Sequence, residues 1–321
     1  MTIAATSTPR PLPRRRFQGR AWRETVSFYL FISPWLLGFL ALSVVPLALG
    51  FAASLTNYDG YNLDSLRFRG LDNYLRAFDD PDVLHSLWRT VVFSVMNVPL
   101  NIGLALVLAI LLNGAIPARG VFRTLFYLPH IVPIVAVVWI WRIFVDQNYG
   151  LVNGILSWFW PDTAIRWTVD FPTQVLTALT VWTGIGGGMV IFLAGLQGIP
   201  SELKDAARID GATTPQLYRA VIIPLLTPVI FFELVLTMIR SLQTLVAPML
   251  LAGDQLASIP VRDNYLFLVH AYQQVFAQQR YGYGLALIWM FLVVIVALTY
   301  AVFKTSKYWV YYEVDQDGGK Q

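Results

Sequence analysis

Six stretches of this chain are each long and apolar enough to cross a lipid bilayer, and that feature excludes most folds. They cover about Phe28–Ser54, Ser86–Leu112, Phe122–Val145, Thr173–Leu196, Val221–Leu251 and Tyr283–Phe303. About 20 apolar residues in a helix span the hydrocarbon, and each segment must pair its own backbone polar groups there. The chain is therefore predicted to be an all-α integral membrane protein with six spans. Its composition points the same way. Charged residues make up 13% of the 321 and the mean hydropathy is +0.58, against about 25% charge in a soluble domain. The first stretch follows an Arg-rich segment, but its apolar run exceeds the 7–15 residues of a signal core, so it is expected to be a retained span. The absence of cysteine excludes disulfides, thiolate metal sites and cysteine nucleophiles.

The placement of the positive charges explains the net charge of +4. If the N-terminus is cytoplasmic, that side carries Arg10, Arg14, Arg15, Arg16, Arg20, Arg23, Arg119, Arg123, Lys204, Arg208, Arg219, Lys304, Lys307 and Lys320. The other side carries Arg67, Arg69, Arg76, Arg166, Arg262 and Arg280, with a cluster of aspartates between the first two spans. This excess predicts that both termini face the cytoplasm, and it accounts for the charge without nucleic acid. Trp22, Trp88, Trp158, Trp160, Trp167 and the Tyr308–Tyr312 segment fall near span ends, as interfacial aromatics do. Arg89 and Arg142 lie near the outer span ends and are expected to snorkel. Prolines at 99, 129, 133, 224, 228 and 248 remove backbone donors and predict bent helices around a cavity.

The connection between the fourth and fifth spans is unusually well punctuated. Ser201 is placed to cap a helix with Glu202 in its first turn, and Asp210-Gly211 to end it. Thr214-Pro215 then opens a second short helix, with proline at its first position. Read from the residues alone, this helix–turn–helix is either a connector resting on the bilayer or a docking element.

Its residues carry a resemblance. Asp205-Ala206-Ala207, Asp210-Gly211-Ala212, Tyr218 and Ile223-Pro224 resemble the "EAA" loop of ABC importer permeases, with Asp205 in place of the usual Glu and Ile223 in place of Leu. Ile32-Ser33-Pro34, Gly70-Leu71-Asp72-Asn73-Tyr74, the Arg123…Trp141 region, Gly150–Asn153 and Tyr281–Gly284 are similar to the carbohydrate-uptake branch of that family. After the fifth span, Leu250-Leu251-Ala252-Gly253-Asp254-Gln255 departs from the Leu-Leu-Thr-x-Gly-Gly-Pro of many relatives. The resemblance implies the type I ABC importer permease fold. It divides the chain into a basic tail over 1–27, a permease domain over 28–304 with its coupling loop at 197–220, and a tail over 305–321.

Several further expectations come with the resemblance. The chain is a non-catalytic transport subunit of the plasma (inner) membrane. Glu202, Asp205, Ala206, Ala207, Asp210 and Gly211 couple it to an ATPase subunit. Its partners are a second homologous permease, two ATPase subunits or a homodimer of one, an extracytoplasmic solute-binding protein, a sugar and membrane lipid. ATP and Mg are bound by the ATPase, and no cofactor belongs to this chain. Consistently, no G-x-x-x-x-G-K-[ST] occurs in it. Gly184, Gly186, Gly187 and Gly188 lie inside an apolar span, where close helix packing is expected instead of a nucleotide loop.

Ionisable groups at membrane depth cost at least ~2.5–3.5 kcal/mol, so they are functional candidates by default. At 100° per residue, Glu233, Thr237, Arg240 and Thr244 share about 60° of arc on the fifth span, with Gln243 at its flank. In such permeases this helix lines the solute path, so Thr237, Arg240, Gln243 and Glu233 are candidate substrate-binding residues. Two readings of Glu233 and Arg240 stay open: they line a cavity, or they are ion-paired glue between permeases. Asn97 and Asn101, flanking Pro99, are expected to satisfy the carbonyls that the proline frees rather than to meet solute. His85, His130 and His270 show no metal-ligand spacing, and no catalytic constellation is visible. Two alternatives remain: the same architecture importing glycerol phosphate or another polar anion, and an ion-coupled secondary transporter. The second would be marked by inverted repeats, which the two halves do not show.

Overall fold

The computed structural model describes residues 17–62, 64, 66–114, 116–161, 164–253 and 258–311, with backbone alone for 17–21. The expected tail over 1–27 lies outside the described residues up to Arg16, as do residues 312–321 of the C-terminal tail and Asp254 and Gln255. The chain divides into two compact units, residues 1–53 and 54–321. In the first unit, a long apolar helix, α1 (Trp22–Ser54), contains Pro34 and widens to a π turn over Leu40–Val44. Such turns absorb an inserted residue without ending the helix.

The second unit is a helical bundle. After α2 (Asp72–Asp79), α3 (Pro81–Asn113) starts where the Asp80 side chain accepts the Asp82 N–H at 2.9 Å and Pro81 occupies the first helical position. The third apolar stretch forms two helices, α4 (Arg119–Ile131) and α5 (Ile134–Phe144), which meet at 101°. The continuous span expected over Phe122–Val145 is therefore corrected to a broken one. Val132 and Pro133 adopt extended backbone, and Pro133 has no N–H to carry the ladder across.

Helix α6 (Pro172–Gly198) runs through the centre, packed along α3 and α4. A short helix, α7 (Ser201–Ile209), then leads to α8 (Thr214–Leu242), whose first turns include a π turn at Tyr218–Ile222. The fifth span was expected to reach Leu251, but α8 stops at Leu242. Gln243 to Leu245 break it, and a separate helix α9 (Val246–Ala252) carries the remaining apolar residues. Helices α10 (Phe267–Tyr272) and α11 (Tyr281–Ser306) complete the unit. The segment after α11 turns back onto α8: Val310 is buried, Trp309 meets the Phe231 ring, and the Tyr311 N–H donates to Thr227 Oγ1 at 2.8 Å.

Three clusters of buried side chains hold the bundle. One centres on Phe93, Leu176, Leu179 and Met249, and a second on Ala105, Met189, Phe192 and Leu226. The third brings Leu242, Phe267, Leu287 and Phe291 together. All three join α3, α6 or α8 to their neighbours, so these helices are rigidly placed around the space between them. The end of the bundle carrying Asp80, Thr173 and Asp263 is called the far end below, and the opposite end, at α7, the loop end.

Candidate functional site

Between the broken span, α3, α6 and α8 lies an open cavity of about 390 Å³, within the range of small-molecule sites. Helix α3 contributes Asn97 and Asn101; α4 and α5 contribute Pro129, His130, Val132 and Ile134. Helix α6 adds Thr180, Thr183 and Gly184, the end of α8 adds Thr237, Arg240 and Ser241, and the break after it adds Thr244. Side chains three and four residues apart share a helix face, so α3, α6 and α8 each turn one short polar stripe inward.

The wall is knit by polar contacts between helices. Asn97 Nδ2 donates to Thr180 Oγ1, and Ser241 Oγ donates to Ser94 Oγ at 3.0 Å. His130 Nδ1 lies 3.0 Å from the Thr183 carbonyl, which accepts from it. The expectation that Asn97 and Asn101 serve the backbone around Pro99 is thus corrected: Asn97 bonds a side chain of α6, and both line the cavity. His130, to which the sequence assigned no role, lines it too.

The four candidate residues of the fifth span separate. Thr237 and Arg240 are in the wall. Glu233 is fully buried behind it, where its Oε1 accepts from Thr237 Oγ1 at 3.0 Å and stands 3.9 Å from Arg240 Nη1. Its Oε2 has no hydrogen-bond partner among the described residues. Among the described residues Arg240 is the only lysine or arginine of the wall, and its side chain is 53% exposed. Gln243 follows the last turn of α8, exposed and outside the cavity lining. Glu233 and Gln243 are therefore corrected as wall residues, Glu233 because Ala105 and Gly188 leave room for it behind α8.

The loop end presents a second feature. Helix α7 has no buried residue, with Ile209 86% exposed. Pro200, not Ser201, occupies its cap position, and Glu202 and Arg208 sit in its first and last turns, as the helix dipole favours. Its end is a Schellman motif: Ala212 N–H donates to the Ala207 carbonyl and Gly211 N–H to that of Arg208, both at 3.0 Å, with Gly211 at φ 82°. Thr213 caps the following helix, so Pro215 takes its second position rather than its first. Asp205 pairs with Arg208 at 3.4 Å in the open. Glu202 and Asp210 are exposed, as is Ala206, whereas Ala207 packs partly against the core at Leu217.

Arg89 does more than snorkel. It crosses the far end, with Nε donating to the Asp263 carbonyl at 2.8 Å and Nη2 to Thr173 Oγ1 at 2.7 Å. Nearby, Arg262 bonds Asp82 at 2.8 Å, and His270 lies between the Tyr265 hydroxyl at 3.1 Å and Asp80 at 3.7 Å. Burial raises the Asp80 carboxyl, but the hydrogen bonds from Tyr283 and the Asp82 N–H, with the charges of His270 and Arg76, hold it below its ordinary value. Among the described residues no group of His, Asp and Glu is arranged to hold a metal.

An open polar cavity among membrane-spanning helices, with a structured helical loop at the loop end, fits a solute-translocating membrane subunit. Residues 101–317 match the binding-protein-dependent transport system inner membrane component family, and the chain belongs to it as a permease subunit of an ABC importer. Subunits of this family are integral membrane, non-catalytic transport components. The chain is similar to the probable ABC transporter permease protein YesP of Bacillus subtilis, with 36% identity over 92% of this chain and 95% of that one. It is also similar to the probable starch degradation products transport system permease protein AmyD of Thermoanaerobacterium thermosulfurigenes, with 29% identity over 90% and 97%. Among solved structures, a bacterial ABC transporter that imports the acidic polysaccharide alginate shares the fold, with a TM-score of 0.77 and 20% identity over 90% of this chain and 98% of that one.

Proposed function

We propose that this chain forms half of the translocation path of a sugar importer, and that the cavity under Thr237 and Arg240 takes the solute. The observation that carries the reading is the cavity wall: amides and hydroxyls from three helices, with one guanidinium. Such a wall matches a polyhydroxylated solute, which presents donors and acceptors on every side. The carboxylate of Glu233, 3.9 Å from Arg240, already offsets its charge and favours an uncharged sugar over a sugar phosphate. The similarity to a permease named for starch degradation products supports a carbohydrate. Gln243 serves at the rim, and Glu233 acts from behind the wall.

In this reading Glu202, Asp205, Ala206, Ala207, Asp210 and Gly211 seat α7 on an ATPase subunit, which binds the ATP and Mg. A second permease supplies the other half of the path, and a solute-binding protein delivers the sugar from outside. Both termini and α7 lie on the cytoplasmic side of the inner membrane in this reading, which the excess of Lys and Arg in the loops supports.

The test is solute-stimulated ATP hydrolysis by the reconstituted importer with its binding protein. Maltotriose, an oligouronate and glycerol 3-phosphate are compared, with and without Arg240→Ala. Stimulation by the neutral sugar that is lost in a stably assembled Arg240→Ala complex supports the reading. Stimulation by the anions alone would replace it with an anion importer. Collapse of the Arg240→Ala complex would make the residue structural, and uptake driven by an ion gradient without ATP would remove the importer reading altogether.

A further inference from the structure

Four glycines in the middle of α6, at 184, 186, 187 and 188, face different surroundings. A Cβ on Gly186 would lie 2.5 Å from the Phe126 carbonyl oxygen and 2.9 Å from Tyr127 Cα, against the backbone of α4. One on Gly188 would meet Ala105 Cβ at 3.0 Å and Glu233 Oε1 at 3.1 Å, in the packed layer behind the cavity. Gly184 and Gly187 differ from both. A Cβ on Gly184 would fall on the side-chain amide of Asn101, and one on Gly187 would lie 2.9 Å from the His130 ring.

Asn101 and His130 both line the cavity, so the obstacle at these two positions is the movable end of a side chain with open space on its other side. Asn97, one turn from Asn101, is committed to Thr180, and the His130 ring is held by the Thr183 carbonyl. Displaced from α6, either side chain has the open cavity to enter.

We propose that Gly184 and Gly187 determine the size of the solute the cavity admits. Lacking a Cβ, they let Asn101 and His130 lie back against α6, and a methyl group at either position drives that side chain into the cavity. The proposal rests on the cavity being the solute path, so its test measures the space directly and needs no knowledge of the solute.

The chain contains no cysteine, so Thr244→Cys places its only thiol on the cavity wall. In the purified, assembled importer this thiol is reacted with a small methanethiosulfonate, the ethylammonium reagent, and with a bulky biotin-bearing one. Labelling of this chain is followed by mass. A one-carbon change in a fitted pocket discriminates by tenfold or more, so Gly184→Ala is expected to slow the bulky reagent about tenfold while the small one stays within about twofold. Adding Asn101→Ala to Gly184→Ala restores the bulky reagent. Gly187→Ala and its rescue by His130→Ala give the same pattern and stand in if Gly184→Ala does not assemble.

Equal slowing of both reagents, no slowing, or slowing that the second substitution does not relieve overturns the proposal. So does failure of both glycine variants to assemble, which would make these positions packing sites like Gly186. If the size-selective pattern holds while no sugar stimulates ATP hydrolysis, the size determinants stand and the sugar reading alone falls.

Discussion

At the far end, the contacts that fix the helices join residues 84 to 203 positions apart: Arg89 to Thr173, Arg262 to Asp82, Tyr283 to Asp80. At the loop end, those that shape α7 are short in sequence: Arg208 to Asp205, Ala212 to Ala207, Thr213 to Gln216 and, eight residues apart, Lys204 to the Leu196 carbonyl. Long-range bonds tie helices into one body, whereas local ones preserve an element's shape and leave its position to other contacts. The far end is thus tied together by bonds within this chain. The loop end holds a finished helix whose outer face, with Ile209 and the carboxylates of Glu202 and Asp210, has no partner within the described chain. Damage at the first should therefore lower stability, and damage at the second should lower assembly.

The largest stability effect belongs to Arg89→Ala. It removes two charge-assisted hydrogen bonds from a side chain that is only 17% exposed, and leaves Thr173 without its donor. A loss of about 2–3 kcal/mol is expected, seen as a lower melting temperature of the purified importer with the ATPase still attached. An unchanged melting temperature would show that the far end does not depend on its long-range bonds.

Gly211→Val is the reciprocal change. No atom lies within 4 Å of a Cβ there, so the cost is confined to the left-handed backbone at φ 82°, roughly 1–2 kcal/mol. The subunit should insert and fold but lose its ATPase on co-purification. Normal transport by this variant would break the assignment of α7 as the coupling element.

The smallest effect is one of pH. Burial pushes the His270 imidazole below its ordinary value of 6.5, against the pull of Asp80 and Asp82. The unfolded chain takes up this proton near pH 6.5, while the folded chain resists it to lower pH. This contribution is therefore complete above pH 6.5 and is lost as the pH falls toward and through the lowered folded value. The melting temperature of the importer should decline by a few degrees between pH 7.5 and 5.5, and His270→Gln should flatten that slope.

Much of the fold was legible because hydropathy reports a requirement of the bilayer that no packing detail can override. The six stretches and the glycine-terminated loop helix follow from residues read one at a time. The break in the third span did not. Pro129 and Pro133 were visible, but a proline inside an apolar run is compatible with a kink, a curve or a break, and the neighbours decide: α4 follows α6 at Gly186, while α5 packs on α9. The arc shared by Glu233, Thr237, Arg240 and Thr244 was also readable. Which of them meets the cavity was not, because Glu233 is buried by Ala105 and Gly188, residues of other helices. Asn97, Asn101, Thr180 and Thr183 had a signal of their own, polar residues at three- and four-residue spacing on apolar helices, which becomes informative only when the stripes converge.

The bend at Val132 and Pro133 has one more consequence. A continuous helix keeps its carbonyls and amides to itself, but α4 ends and α5 begins beside the cavity, where His130, Val132 and Ile134 form part of the wall. The last carbonyls of one helix and the first amides of the next lack partners along their own ladders, and irregular backbone at membrane depth is tolerated where it lines a water-filled space. Main chain freed from the helical ladder therefore lies beside the cavity at Val132 and Pro133. A backbone carbonyl is the same whatever side chain its residue carries, so exchanging side chains at this bend leaves those acceptors in place.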